Sequence, residues 1–167
     1  MKKLEKLIKE TEYLSQHYVE IGILAEDKER KPLGKKTTIL EYAIFNEFGT
    51  SKTPSRPFFR ITLEEKRNDI KRKSRQYFNE VLRGQSTGRE VLIKIGEDIR
   101  ELIIQTINNA NQWATPLSPA TLQAKLKKRA NNNKILIDDR YLIKSIRFKI
   151  VHIKGNVEFI SGFKEVW

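Results

Sequence analysis

Residues 38–60 restrict this chain more than any other stretch: Thr-Ile-Leu-Glu-Tyr-Ala-Ile-Phe-Asn-Glu-Phe-Gly-Thr, a short spacer, then Pro-Ser-Arg-Pro-Phe-Phe-Arg. Thr38 stands three residues before Glu41, the spacing at which a hydroxyl and a carboxylate reciprocally satisfy orphan N–H groups at a helix start. Leu40, Ala43, Ile44 and Phe48 then recur at helical spacing and predict one buried face. Gly49 falls where the helix must stop, and a residue without Cβ enters positive φ at little cost. A valine there would cost about 1 kcal/mol or more if φ is positive. Pro54 and Pro57 bracket Arg56 and stiffen the loop, and Pro57 suits the first turn of a following helix that carries Phe58 and Phe59. Glu47 is placed to pair with Arg56 across the turn and hold the loop shut.

The spelling of this element, Tyr42-Ala43 with Glu47-Phe48-Gly49-Thr50 and then Pro54-Ser-Arg56-Pro57-Phe58, resembles the small neck and tail-completion proteins of long-tailed bacteriophages and prophages, often labelled minor tail or virion morphogenesis proteins. Four further segments agree in order and approximate spacing. Val19-Glu-Ile-Gly-Ile-Leu24 looks like the strand preceding the Glu-Phe-Gly element. Gly88 opens the apolar helix that usually follows. Pro116-Leu-Ser-Pro-Ala-Thr121 with Lys125, and Leu136-Ile-Asp with Leu142 and Ser145-Ile146, look like two later family segments. The resemblance implies a structural protein that forms a ring of copies joining the head connector to the tail tube or its terminator, assembled in the host cytoplasm and carried in the virion. It implies no enzyme activity and no cofactor.

The 167 residues suit one domain, 1–167, with a charged, aperiodic loop at 25–37 that should be exposed. The absence of cysteine rules out a disulfide framework or thiolate metal site and fits a reducing compartment. Glu5, Lys6, Lys9 and Glu10 interrupt any apolar run after Met1-Lys2-Lys3. No secretory signal, bilayer span or membrane partner is therefore expected, and the reading is of a soluble intracellular protein.

The net charge of +12 is uneven, concentrated in 67–75 and 125–154. Such a field suits non-specific DNA contact, an acidic partner or anionic lipid, and equally a solvated surface. Candidate partner contacts are Lys28, Arg30, Lys31, Lys35 and Lys36 in the 25–37 loop, with Lys66, Arg67, Lys71 and Arg72 in the polar middle of the helix after Pro57. That helix starts apolar and then loses its stripe, so its middle must be solvated or covered by another chain. Glu64 with Arg67, and Asp69 with Lys73, can pair along it.

Elsewhere, Leu4, Leu7, Ile8, Thr11 and Leu14 mark an amphipathic helix expected to pack on the core. From Arg89 to Asn108, Val91, Ile95, Ile99, Leu102 and Thr106 form the stripe of a central helix, widened by Leu92, Ile103 and Ile107. Gly96 inside it implies close approach of a neighbouring backbone. Residues 108–115 read as a loop holding Trp113, followed by a short helix capped at Ser118-Pro119. Val19, Ile21 and Ile23 alternate, as do Ile146, Phe148 and Ile150. Gly155-Asn156 turns the chain into Val157–Ile160. The fold class is thus α+β, a small, mostly antiparallel sheet packed on several helices, one long and one central and apolar. Its open edges leave strand addition available.

Little in the sequence suggests catalysis. His17 and His152 have no second ligand at metal spacing, adjacent Asp138 and Asp139 point apart if extended, and Gly84–Gly88 lacks the sequel of a phosphate loop. Phe58 and Phe59 read as core and helix-entry anchors, although aromatics beside Arg56 and Arg60 are also what a single-strand binder would use. The alternative to assembly is a basic nucleic-acid-binding accessory protein, whose affinity would fall steeply with salt.

Overall fold

The computed structural model describes residues 2–31, 36–128, 133–137 and 140–162. Helix α1 (Lys2–Gln16) runs directly into strand β1 (His17–Gly22); a 3₁₀ turn (Ala25–Asp27) precedes α2 (Ile39–Phe48), α3 (Phe58–Glu65), α4 (Arg67–Leu82) and α5 (Gly88–Asn108). Then come α6 (Ala110–Trp113), α7 (Pro119–Lys128), α8 (Tyr141–Ser145), and strands β2 (Arg147–His152) and β3 (Val157–Ile160). The fold is α+β. The strands lie in the order β1-β2-β3, antiparallel throughout, with Ile21 opposite Phe148, Val19 opposite Ile150, and a register shift at Ile150/Val151 where β3 pairs.

Helix α5 organises the rest. Its start is a capping box, in which the Thr87 hydroxyl accepts from Glu90 N–H and the Glu90 carboxylate accepts from Thr87 N–H. That backbone hydrogen bond, reinforced by Ser86 and Thr87 hydroxyls, holds the Glu90 carboxyl below its ordinary pKa. Glu10 of α1 adds a third acceptor, taking the Gly88 N–H at 2.7 Å, so α1 crosses the positive end of α5. Val91, Leu92, Ile103 and Ile107 are buried, and α5 packs across β1 and β2. Phe58, Leu142 and Ile146 join Ile103, Ile107 and Ala110 in the main core.

The close approach expected at Gly96 exists, but the neighbour is a side chain. A methyl group at Gly96 would collide with the ring of Phe148, which β2 presses flat against α5. Other local expectations change as well. The helix after Pro57 breaks at Lys66 (φ −96°, ψ 5°), so that α3 packs on α2 while α4 turns to run along α5 and α1. Nor does the polar middle of α4 stand free of its own core: Tyr77 donates to Asp98 at 2.8 Å, Lys73 pairs with Asp98 at 3.1 Å, and Lys94 pairs with Glu80 at 2.7 Å. The hydrogen bond to Asp98 pushes the Tyr77 phenol up to about 12. Asp69 pairs with Arg72 rather than Lys73. Trp113 ends a short helix instead of sitting in a loop, and its indole N–H donates to the Thr106 carbonyl. In α1 the expected core packing holds in part: Leu7, Tyr13 and Leu14 are half-buried, whereas Leu4 and Ile8 remain 63% and 49% exposed.

Gly96→Ala is expected to destabilise the fold by about 1–3 kcal/mol, although alanine is the better helix former by about 1 kcal/mol. Urea unfolding followed by circular dichroism measures this, and Phe148→Leu in the Gly96→Ala background should restore part of the loss.

Candidate assembly surface

Helix α2 is capped as its sequence requires: Glu41 N–H donates to the Thr38 hydroxyl at 3.1 Å and Thr38 N–H to the Glu41 carboxylate at 2.7 Å. The backbone hydrogen bond from Thr38 lowers the Glu41 carboxyl pKa. At the other end Gly49 has φ 77° and ψ 176°, a region essentially reserved for glycine, and its N–H donates to the Phe45 carbonyl. There is also no room for a side chain, since a Cβ would lie 2.9 Å from the Ser55 nitrogen. The Thr50–Thr53 turn closes the loop and brings Ser55 Oγ to the Glu47 carbonyl at 2.8 Å.

The next helix then lacks a cap of its own. Pro57 occupies the N-cap position with φ −78° and ψ 70°, close to an inverse γ-turn, and Phe58 N–H donates back to the Arg56 carbonyl. Proline has no side-chain acceptor, so the second and third N–H groups of α3 need one from elsewhere. Glu47 supplies it. Its buried carboxylate accepts from Phe59 N–H at 3.0 Å and Arg60 N–H at 3.1 Å, and from Arg60 Nε at 3.2 Å. Arg60 Nη2 also donates to the Glu47 carbonyl at 2.7 Å.

The expected Glu47–Arg56 pair is therefore replaced by a Glu47–α3 clamp. Arg56 turns the other way and donates from Nε to the Thr115 carbonyl at 3.0 Å and from Nη2 to the Pro116 carbonyl at 3.3 Å. Burial lowers the Arg56 pKa because it disfavours the guanidinium charge. Phe58 is fully buried and Phe59 half-buried beside it, ring centroids 4.7 Å apart. Nothing in the 38–60 motif announced Thr115 and Pro116 as partners; the nearest signal was the separate Pro-Leu-Ser-Pro segment.

The apolar face expected of α2 is also rotated. Ile39, Ala43, Asn46 and Glu47 are buried, whereas Ile44, Phe45 and Phe48 are 44%, 43% and 66% exposed. Asn46 is held inside by donating to the Tyr42 carbonyl, and its own carbonyl accepts from Arg56 N–H. The Arg60 guanidinium lies over the outward Phe48 ring, and Leu63 of α3 is 48% exposed. Two grooves flank α2. One, of about 210 Å³, lies towards the end of β1 and is lined by Ile21, Ile23, Leu40, Ile44, Phe48 and Phe59. The other, of about 580 Å³, lies towards α7 and contains Arg56 with Phe45, Pro54, Pro116, Leu117 and Thr121.

The predicted basic contacts are dispersed. Lys28, Lys31 and Lys36 are exposed, and Lys35 lies outside the described residues, as do Pro32 and Gly34. Arg30 pairs with buried Asp27 at 2.7 Å, and Asp27 pairs in turn with Arg147 of β2 at 2.7 Å, so the start of the 25–37 loop is anchored to the sheet. Arg67, Lys71 and Arg72 are exposed on α4, with Lys66 half-buried at the helix break.

His17 is the first residue of β1. It stacks on Tyr13 and contacts Glu158 through Nε2 at 2.7 Å, while Tyr13 donates to the same carboxylate at 2.7 Å. Burial, together with the Glu158 hydrogen bond, pushes the Tyr13 phenol well up, and the hydrogen bond from Tyr13 lowers Glu158. Asp138 and Asp139 lie outside the described residues. Among the described residues no group of three histidine, cysteine or acidic side chains is arranged to hold a metal, and no helix is long and apolar enough to cross a membrane. No family model matches the chain, and no curated protein or solved structure matches it significantly.

Glu47→Gln retains shape but weakens the cap on α3. A loss of about 1–3 kcal/mol is expected in urea unfolding, with amide exchange accelerated first at Phe59 and Arg60.

Proposed function

We propose that this protein is a structural component of a phage or prophage particle, a neck or tail-completion protein whose copies form a ring between head connector and tail tube. One observation supports the reading above others: α2 spends its buried positions on Asn46 and Glu47 and turns Ile44, Phe45 and Phe48 outward. A helix built this way gains from being covered, because burying an exposed phenylalanine contributes about 1.5–3 kcal/mol. Exposed aromatic residues backed by a rigid clamp are the usual centre of a protein interface. The motif that carries the phage resemblance, 38–60, is the same element that presents them. Arg67, Lys71 and Arg75 on the outer side of α4 give DNA passing through such a ring a basic surface to slide against.

On this reading the dilute protein is monomeric and forms rings only with its neighbours or at high concentration. Phe48→Glu should leave the circular dichroism spectrum and melting temperature close to wild type while abolishing ring formation in multi-angle light scattering and electron microscopy. A tight dimer at submicromolar concentration, or normal rings from Phe48→Glu, would count against it.

A further inference from the structure

We propose that the groove between α2, the Thr50–Pro57 loop and α7 binds an extended segment of an acidic partner protein, one carboxylate of which seats on the Arg56 guanidinium. The inference rests on α2 being a contact element and names the chemistry of what it contacts.

Arg56 is only 6% exposed, yet it lines the groove. Among the described residues its two acceptors are both neutral carbonyls, of Thr115 and Pro116. A guanidinium carries five N–H donors, and these two bonds use two of them; the others meet no acceptor among the described residues. A buried cation held by neutral carbonyls alone is under-compensated. The same bonds fix the plane of the fork, so a carboxylate can dock on its remaining edge without further ordering.

The walls agree with that ligand. Among the described residues, Lys52 and Lys125 join Arg56 in the lining and no aspartate or glutamate does, while Ser118 and Thr121 add hydroxyls. Lys125 Nζ donates to the carbonyls of Lys134 and Ile137 at 2.6 and 2.7 Å, which fixes that wall of the groove. Phe45, Pro54, Pro116 and Leu117 supply apolar wall for neighbouring side chains.

Phe45 belongs both to this groove and to the outward face of α2, so a partner covering α2 can run a strand of chain into the trough. Duplex phosphates are a poor fit, because they are met by exposed cations and Arg56 is almost fully buried. Within this basic groove the net charge of +12 favours an acidic partner as occupant, and copies of this chain meet instead through the Phe48 side of α2.

The test is a titration of dilute, isotopically labelled full-length protein with the peptide acetyl-Pro-Leu-Glu-Leu-Pro-amide and its glutamine counterpart, followed by NMR at the Arg56 Nε–H and the Thr53 and Thr121 amides. The glutamate peptide is expected to shift these signals saturably, and the glutamine peptide to bind at least tenfold more weakly. Arg56→Lys keeps the charge but loses the fork and should weaken binding at least fivefold. Lys52→Glu, at an exposed position that the fold does not need, should weaken it at least threefold even if the Arg56 variant misfolds. Equal responses to the two peptides, no shift at Arg56, indifference to Lys52→Glu, or displacement of the peptide by a 16-base-pair duplex would each overturn the proposal. Unassembled protein is used, so groove binding and ring formation can fail independently of each other.

Discussion

The carboxylate of Glu47 does the work of a helix cap for a helix to which it does not belong. Pro57 leaves the start of α3 without a side-chain acceptor, and Glu47 reaches back across the Gly49 turn to the Phe59 and Arg60 N–H groups. Charge-assisted hydrogen bonds of this kind contribute about 1.5–3 kcal/mol, and an anion at a helix N-terminus adds up to about 2 kcal/mol when partly buried. The consequence is geometric as much as energetic. With α2 locked to α3, Phe58 enters the core against Ile103 and Ile107, and Arg56 is directed away from Glu47 to the carbonyls of Thr115 and Pro116.

The clamp also decides what α2 shows to solvent. A ten-residue helix has few inward positions, and here two of them hold Asn46 and Glu47. The apolar residues that a stability-optimised helix would bury are displaced outward, leaving Phe48 two-thirds exposed beneath the Arg60 guanidinium. Such a surface lowers the solubility of the isolated chain and gains value only when covered. The anchoring of Arg30 through Asp27 to Arg147 likewise fixes the approach to α2, since the Arg30 carbonyl accepts Ile39 N–H.

What could be read from the sequence was mostly what is local. The Thr38–Glu41 cap, the glycine stop at Gly49, the span of α5 and the β2–β3 hairpin each depend on residues a few positions apart, and each stands where expected; the buried face of α5 runs through Leu92, Ile103 and Ile107, with Ile95, Ile99, Leu102 and Thr106 half-buried beside it. Long-range choices were not legible. Glu47 has two arginines within reach along the chain, and the ψ of Pro57 selects Arg60 over Arg56. The buried face of α2 departs from its apolar periodicity because a periodicity counts apolar residues and cannot foresee a buried carboxylate that accepts from two backbone donors. At Gly96 the need for a close neighbour was readable, whereas its identity as the Phe148 ring depends on strand register. The break at Lys66 carries no proline or glycine and follows from α4 being drawn onto α5 by Asp98 and Lys94.

The most direct measurement is side-chain footprinting of Phe45 and Phe48, by carbene or hydroxyl-radical labelling, in the free protein and in purified particles that contain it. If α2 is the surface through which the protein works, labelling of both rings falls several-fold on incorporation while that of Leu82 in α4, exposed and remote from α2 in sequence, serves as the internal comparison. Incorporation with Phe45 and Phe48 labelled as heavily as in the free chain would contradict the account.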